Sequence, residues 1–129
     1  MSIPFLYVHG SNNAFVLVDE LIETWFATDA QRRQFSQSIC THRSAEGVLF
    51  VSEYRDGYRM RMFNPDGSEA EMCGNGLRCA ARRVLEYSGA STASIWVTDR
   101  WFAVGWEDPV KKTVCVRLPS IGFDPTTVG

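Results

Sequence analysis

The sequence predicts an α+β protein in which a mainly antiparallel sheet or open barrel is wrapped around one central helix. Seven short runs rich in β-branched and aromatic residues, separated for the most part by turn-forming residues, predict the strands. One stretch with apolar residues at helical period predicts the central helix. The strands are therefore expected to curl around a single buried helix.

The central helix is predicted from the residues that follow Cys73. Five apolar residues fall at positions i, i+3, i+4, i+7 and i+8: Leu77, Ala80, Ala81, Val84 and Leu85. The charged residues of this stretch lie off that stripe. The helix is expected to begin near Cys73 and to end around residues 88–89, because glycine is a common helix stop.

The other elements are placed by composition and by turn signals. Strands are predicted at residues 3–8, 14–19, 47–53, 58–63, 93–98, 101–106 and 113–118. The first two are expected to be adjacent, and Asp56-Gly57 predicts a hairpin between the third and the fourth. A second helix is expected to begin after a cap at Thr28 or Asp29 and to run to about Cys40. Residues 119–129 are expected to form an irregular tail.

Length, composition and charge limit the possible functions. The chain has 129 residues, of which 45% are hydrophobic, and this predicts one compact domain over residues 1–129. A net charge of −2, without basic runs, gives no electrostatic case for binding nucleic acid or an anionic membrane. Residues 1–8 have no cationic segment and no apolar run long enough for a signal peptide or a membrane span. The default expectation is a cytoplasmic protein.

The four cysteines do not indicate a disulfide framework or a zinc site. They are widely spread, and the chain has neither a Cys-x-x-Cys motif nor histidines at ligand spacing. Cys40 and Cys115 are expected to be small buried hydrophobes. Cys79 lies about 240° around the helix from Cys73 and is expected to pack in the core.

Cys73 itself is predicted to be a reactive thiol. A cysteine at a helix N-terminus experiences the positive end of the helix dipole and meets free backbone N–H groups, both of which favour the thiolate. The neighbouring Gly74 and Gly76 leave those N–H groups uncovered, so that an anion can approach them. We therefore expect a thiol beside a site for a carboxylate- or phosphate-sized anion.

These residues resemble a known family. Residues 64–76 (Asn-Pro-Asp-Gly-Ser-Glu-Ala-Glu-Met-Cys-Gly-Asn-Gly), extended to Arg78 and Cys79, closely resemble the N-terminal catalytic motif of diaminopimelate epimerase. His9-Gly10, with Asn13 and Phe15 behind it, looks like that family's opening strand-loop-strand, and residues 45–49 look like its second loop. The resemblance covers most of the chain but only one half of the family's enzyme, because the second family domain is absent.

The resemblance implies an amino-acid isomerase, as in lysine biosynthesis, that needs neither metal nor pyridoxal phosphate. Cys73 would be one acid/base, while Asn13 and Asn64 would hold the substrate. The amides that would receive the substrate α-carboxylate are those of Gly74, Asn75 and Gly76. In this family the second thiol comes from the other domain. It would therefore come from a separate polypeptide or from a second copy, unless the chain is a truncated piece that binds without catalysing.

The chain also departs from the family pattern in two loops. Asn12 stands where the family usually has glycine, Ala14 where it has aspartate, and Glu46 replaces another aspartate. Residues 42–44 replace a glycine-rich segment, so His42 and Arg43 either contact a different substrate or simply fill a surface loop. The substrate is accordingly an amino acid, either diaminopimelate or another one.

The residues around Cys73 also allow comparison with other classes of protein. Cys73 could be a buried cysteine of a binding or scaffold protein, and a non-catalytic amino-acid-binding or interaction module derived from the family is the main alternative. A dinucleotide site is disfavoured because residues 74–79 lack the third glycine of its motif. A cysteine hydrolase would need a histidine partner, and neither His9 nor His42 has a sequence signature for that role.

Overall fold

The computed structural model describes residues 3–10, 13–71 and 74–117 and confirms the α+β class. In chain order the elements of this part are β1 (Leu6–Gly10), β2 (Asn13–Glu20), α1 (Asp29–His42), β3 (Gly47–Tyr54), β4 (Gly57–Phe63), β5 (Glu69–Ala70), α2 (Gly74–Ser88), β6 (Thr92–Val97), β7 (Arg100–Asp108) and β8 (Thr113–Arg117). The predicted tail, with Leu118 before it, lies outside the described residues. All seven predicted strands have a counterpart, and the short β5 was not predicted.

The described strands form one curled sheet in the order β1-β2-β3-β4-β6-β7-β8, with β5 attached to β4. Five neighbouring pairs are antiparallel, which confirms the mainly antiparallel prediction. The pairs β2–β3 and β4–β6 are parallel and were not predicted. Each of these two pairs is connected through a helix, as parallel neighbours require.

The sheet is covered by a helix on each face. Along β2, Phe15 and Leu17 belong to the core cluster around α2, whereas Val16 and Val18 belong to a second cluster beneath α1. Successive strand residues point to opposite faces. Because both faces are covered, β2 and β3 are continuous apolar runs rather than alternating ones.

Helix α2 occupies the inside of the curled sheet, where it contacts the seven longer strands. Its buried side chains include all five residues of the predicted apolar stripe. The helix ends at Ser88, and Gly89 follows with a φ of 71° and donates its N–H to the Leu85 carbonyl at 3.0 Å. The predicted glycine stop is therefore confirmed.

Between the two edge strands, β1 and β8, the barrel is open. A groove of about 860 Å³ runs between them, and its floor is the polar side of α2. Arg78, Arg82 and Glu86 contribute to that floor. The open barrel expected from the sequence is thus open along the exposed side of its central helix.

Helix α1 begins where its capping residues predict. The Thr28 hydroxyl accepts the Gln31 N–H, and the Gln31 side chain accepts the Thr28 N–H, which makes a capping box. The helix continues to His42, two residues beyond the predicted end at Cys40. Neither helix of the described part is both long and apolar enough to cross a membrane.

The described cysteines differ in part from the prediction. Cys79 packs against the core cluster around α2, as expected. Cys40 and Cys115 were expected to be buried, but both are only half-buried. Cys40 lies at the border of the cluster beneath α1, and partial burial raises the pKa of its thiol.

Candidate functional site

Three polar residues, two of which were predicted to belong to the site, lie at one end of three adjacent strands. Phe15 of β2 is paired with Gly47 of β3, and Val48 is paired with Phe63 of β4. At this end Asn13 is the first residue of β2, Glu46 directly precedes β3 and Asn64 directly follows β4. Since neighbouring strands are about 4.8 Å apart, the backbones of β2 and β4 are separated by roughly 10 Å at this end. A single small ligand can span that distance.

The start of α2 lies at the same end of the sheet. The side-chain amide of Asn75 donates a hydrogen bond to the side-chain oxygen of Asn13 at 2.8 Å, although the two residues are 62 positions apart. Asn75 is in the first turn of α2, which begins at Gly74 as predicted. Two site residues predicted from separate motifs are therefore in direct contact at a helix N-terminus.

Cys73, the predicted acid/base, lies outside the described residues; it directly precedes Gly74 in the sequence. A Cβ atom added to Gly74 would meet no atom within 4 Å among the described residues, so the surface beside this first helical residue is open. The first N–H groups of a helix point outward along its axis, and the helix dipole favours negative charge there. The arrangement around Gly74 suits the binding of a carboxylate, and the role of Cys73 stays a prediction.

Glu46 is a site residue that sequence reasoning missed. Its carboxylate accepts a hydrogen bond from the side-chain amide of Asn13 at 2.8 Å, and its backbone N–H donates to the Ala14 carbonyl at 2.7 Å. Asn75, Asn13 and Glu46 therefore form a continuous chain of side-chain hydrogen bonds. The only signal in the sequence was the position of Glu46, in a loop where the resembled family has a shorter acid.

Asn64 begins the turn after β4. Its carbonyl accepts the Gly67 N–H at 2.9 Å, and its side-chain amide donates to the Ser68 hydroxyl at 3.0 Å. The side chain of Asp66 also stabilises the turn, by accepting the Ser68 N–H at 2.9 Å. Bonds from the hydroxyl and the N–H of Ser68 lower the pKa of Asp66.

Helix α1 supports the turn that carries Asn64. The side-chain amide of Gln37 donates to the Asp66 carbonyl at 2.7 Å. The same side chain lies against Gly67, where an added Cβ would be 3.0 Å from it. The outer helix therefore fixes a loop at the candidate site, a connection that no sequence motif indicated.

The contacts of His42 and Arg43 favour the loop-filling interpretation over a contact with substrate. Nδ1 of His42 lies 2.8 Å from the Ser38 carbonyl oxygen of its own helix. The guanidinium of Arg43 lies over the rings of Phe5 and Tyr7, at 5.6 and 6.0 Å from their centroids. Both side chains are thus engaged with the protein's own surface.

The described polar side chains at this end include the amides of Asn13, Asn64 and Asn75 and the carboxylate of Glu46. Among residues 3–10, 13–71 and 74–117, no three His, Cys, Asp or Glu side chains lie together in a way that could hold a metal ion. Amide groups can donate to a carboxylate and accept from an ammonium group. This set suits the charged ends of a small amino acid.

Solved structures share this arrangement of a curled sheet around a central helix, so the chain is a protein of the epimerase-type α+β fold. A phenazine biosynthesis protein of the PhzF family from Enterococcus faecalis matches with a TM-score of 0.69 over 84% of this chain and 42% of its own. A protein described as a predicted epimerase from Pseudomonas aeruginosa matches with a TM-score of 0.59 over 80% of this chain and 38% of its own. At 18% and 13% identity, these likenesses concern the fold alone.

Sequence comparison defines the family. The family model described as diaminopimelate epimerase matches residues 5–99, and the chain belongs to that family. A diaminopimelate epimerase from Clostridium acetobutylicum is 41% identical over 74% of this chain and 30% of its own length. One from Archaeoglobus fulgidus is 44% identical over 69% of this chain and 34% of its own length. The chain spans about a third of the length of these relatives.

Proposed function

We propose that this chain supplies one half of the active site of a cofactor-independent amino-acid epimerase or racemase. The hydrogen bond between Asn75 and Asn13 is the observation that supports it most, because it joins two family motifs at the start of α2. Cys73, the residue before that helix, is the proposed acid/base. Membership of the diaminopimelate epimerase family supports the reaction class.

The reaction requires removal of the α-hydrogen of an amino acid, which forms a carbanion next to a carboxylate that is already charged. Preorganised N–H donors aimed at that carboxylate lower the cost of the added charge. The donors we propose are the backbone amides of Gly74, Asn75 and Gly76. A thiolate removes the proton from one face, and a thiol on the other face returns one, so that the centre is inverted.

The remaining polar groups are proposed to hold the rest of the substrate. Asn13 and Asn64 lie at the ends of strands on one side of the helix start and can bind the far end of an amino acid. Diaminopimelate is the substrate that we propose, since the relatives of this chain are named for it.

A second subunit is proposed to supply the opposite thiol. It is either a separate polypeptide carrying the other half of the site or a second copy of this chain about a two-fold axis. The chemistry supports this proposal, because inversion needs a second thiol on the opposite face of the substrate. We propose a cytoplasmic location, where thiols are kept reduced.

The function is tested by following uptake of solvent deuterium at the α-carbon of diaminopimelate and of a panel of other amino acids, under reducing conditions. Exchange by the wild-type chain that disappears in Cys73→Ala would support the proposed role of Cys73. Cys40→Ala is the matched control, because this half-buried cysteine belongs to the other helix, α1. Exchange that rises steeply with chain concentration would indicate a site formed by two copies.

The same experiment separates the alternatives. A folded, reduced chain that exchanges no α-hydrogen alone, but does so when the C-terminal part of a family member is added as a separate polypeptide, requires a heteromeric partner. If the chain binds diaminopimelate but exchanges nothing in either case, the proposed enzyme is wrong and the non-catalytic amino-acid-binding module is supported.

A further inference from the structure

Two hydrogen bonds hold Glu46 beside Asn13. Its backbone N–H donates to the carbonyl of Ala14 at 2.7 Å, while its carboxylate accepts from the side chain of Asn13 at 2.8 Å. One residue thus binds both the main chain and the side chain at the start of β2. The next residue, Gly47, enters the β2–β3 pairing directly. Glu46 is therefore held at a fixed place beside Asn13.

An ionised carboxylate has only acceptors, and this determines the orientation of the neighbouring amides. The NH₂ group of Asn13 must face Glu46, so the oxygen of Asn13 faces Asn75 and accepts from it at 2.8 Å. Rotating the Asn13 amide by 180° would place its oxygen against the carboxylate and its NH₂ against that of Asn75. The acid at one end of the chain therefore fixes the direction of both hydrogen bonds.

This direction decides what Asn13 can offer to a ligand. One of the two side-chain N–H bonds of Asn13 donates to Glu46, and the second N–H bond points in a different direction. A fixed N–H donor matches an acceptor on the substrate, such as a carboxylate. A donor held in place before binding also loses less conformational entropy when the ligand arrives.

We propose that Glu46 is a positioning residue, which acts through Asn13 by holding its amide with an N–H directed at an acceptor group of the amino-acid substrate. This inference rests on the proposed function, since it needs Asn13 to contact the substrate. Glu46 itself does not touch the reacting atoms. Its removal should weaken ligand binding only while Asn13 is present.

The first test concerns the free chain and does not need a ligand. In ¹⁵N-labelled protein, the side-chain NH₂ signals of Asn13 are expected to shift in Glu46→Gln, because the Asn13 amide then loses its carboxylate acceptor. Glu23→Gln is the matched control, because Glu23 is an exposed acid in the segment after β2. Asn13 signals that behave identically in wild type and Glu46→Gln would overturn the inference.

The second test is a double-mutant cycle with diaminopimelate as the probe, followed by calorimetry or NMR titration. Asn13→Ala and Glu46→Ala are each expected to weaken binding about tenfold, in line with loss of one charge-assisted hydrogen bond. The double variant should bind no more weakly than Asn13→Ala alone, because the two side chains act as one unit. Glu46→Asp should recover part of the loss, since it keeps an acceptor-only group.

The outcomes distinguish the inference from the function on which it rests. Additive losses in the double variant would overturn the positioning role while leaving the ligand site intact. Full binding by Asn13→Ala would overturn it as well, because Asn13 would then not contact the ligand. If the folded wild-type chain binds no diaminopimelate, alone or with the C-terminal part of a family member added, the proposed substrate site fails and the inference fails with it.

Discussion

The guanidinium of Arg61 donates to both carboxylate oxygens of Asp29, at 2.8 and 3.0 Å, and so joins the first turn of α1 to β4. The same group donates to both carboxylate oxygens of Glu69 in β5, at 2.9 and 2.8 Å. One arginine therefore connects the outer helix, a central strand and the short strand that precedes α2. Bidentate pairs of this kind are among the stronger hydrogen bonds of proteins.

The pairing with Arg61 predicts acid-sensitive stability. The hydrogen bond from Arg61 is the main cause that lowers the pKa of Asp29 from 3.8 to about 2. A carboxyl group whose pKa is lower in the folded state stabilises the fold above its unfolded-state pKa and stops doing so as the pH falls through the folded value. The contribution of Asp29 should thus be complete above pH 3.8 and be lost between pH 3.8 and about 2.

This prediction is checked by urea unfolding of wild type and Asp29→Asn across that range. The difference in unfolding free energy between the two should be constant near neutral pH and should shrink towards pH 2. Half of the Asp29 side chain is exposed, so solvent screening should keep the difference below about 1 kcal/mol. A difference that does not change with pH would contradict the prediction.

Glu20 is predicted to be important for stability rather than for function. It is only 6% exposed, and its carboxylate accepts the backbone N–H groups of Trp25 and Phe26 at 2.7 and 3.4 Å. It also faces the guanidinium of Arg32 at 3.4 Å. Glu20→Ala would leave these donors without their acceptor in a buried place and should cost about 3 kcal/mol.

Chemical denaturation measures this cost directly. The exposed Glu23→Ala is the control and should change stability by less than about 0.5 kcal/mol. A loss below about 1 kcal/mol in Glu20→Ala would show that other groups or water replace the carboxylate.

The elements of this fold were predictable where the signal is local. The limits of α2 follow from an apolar stripe that ends at Leu85 and from the glycine stop at Gly89, and the start of α1 follows from the Thr28 cap. The two parallel pairings were not predictable in the same way, because strand order depends on which face each crossover helix covers. A two-residue strand such as β5 is too short to have a period of its own.

The residues of the candidate site also fall into two groups: those that local motifs predicted and those that depend on long-range contacts. The motifs placed Asn13, Asn64 and the start of α2 in the site, because each has a recognisable sequence around it. The contributions of Glu46 and Gln37 were missed, since each depends on a hydrogen bond between residues that are 33 or 29 positions apart. Such contacts exist only after the sheet and α1 are in place.

Gln37 is predicted to affect ligand binding from outside the site. Its side chain donates to the Asp66 carbonyl at 2.7 Å and so supports the turn that begins at Asn64. Gln37→Ala should raise the dissociation constant for diaminopimelate roughly threefold, while stability falls by no more than about 1 kcal/mol. Gln34→Ala, an exposed glutamine of the same helix, should change neither quantity. Equal binding by the two variants would show that the turn does not need this support.

Two glycines near the site are predicted to respond in opposite ways to the same methyl group. A Cβ added to Gly47 would lie 2.7 Å from the Phe63 carbonyl oxygen and 2.8 Å from the end of the Met62 side chain. The methionine can move, but the carbonyl belongs to the paired strand β4 and precedes Asn64. Gly47→Ala should therefore cost about 2 kcal/mol of stability and also displace the Asn64 turn.

A Cβ at Gly74, by contrast, would meet no atom within 4 Å among the described residues. Gly74→Ala should leave stability unchanged or raise it by up to about 1 kcal/mol, since alanine is the better helix former. The added methyl group would nevertheless partly cover the backbone at the start of α2, so affinity for diaminopimelate should fall. Unfolding and binding measurements on both variants check these expectations together. If Gly74→Ala kept wild-type affinity, the helix start would not be where the substrate carboxylate binds.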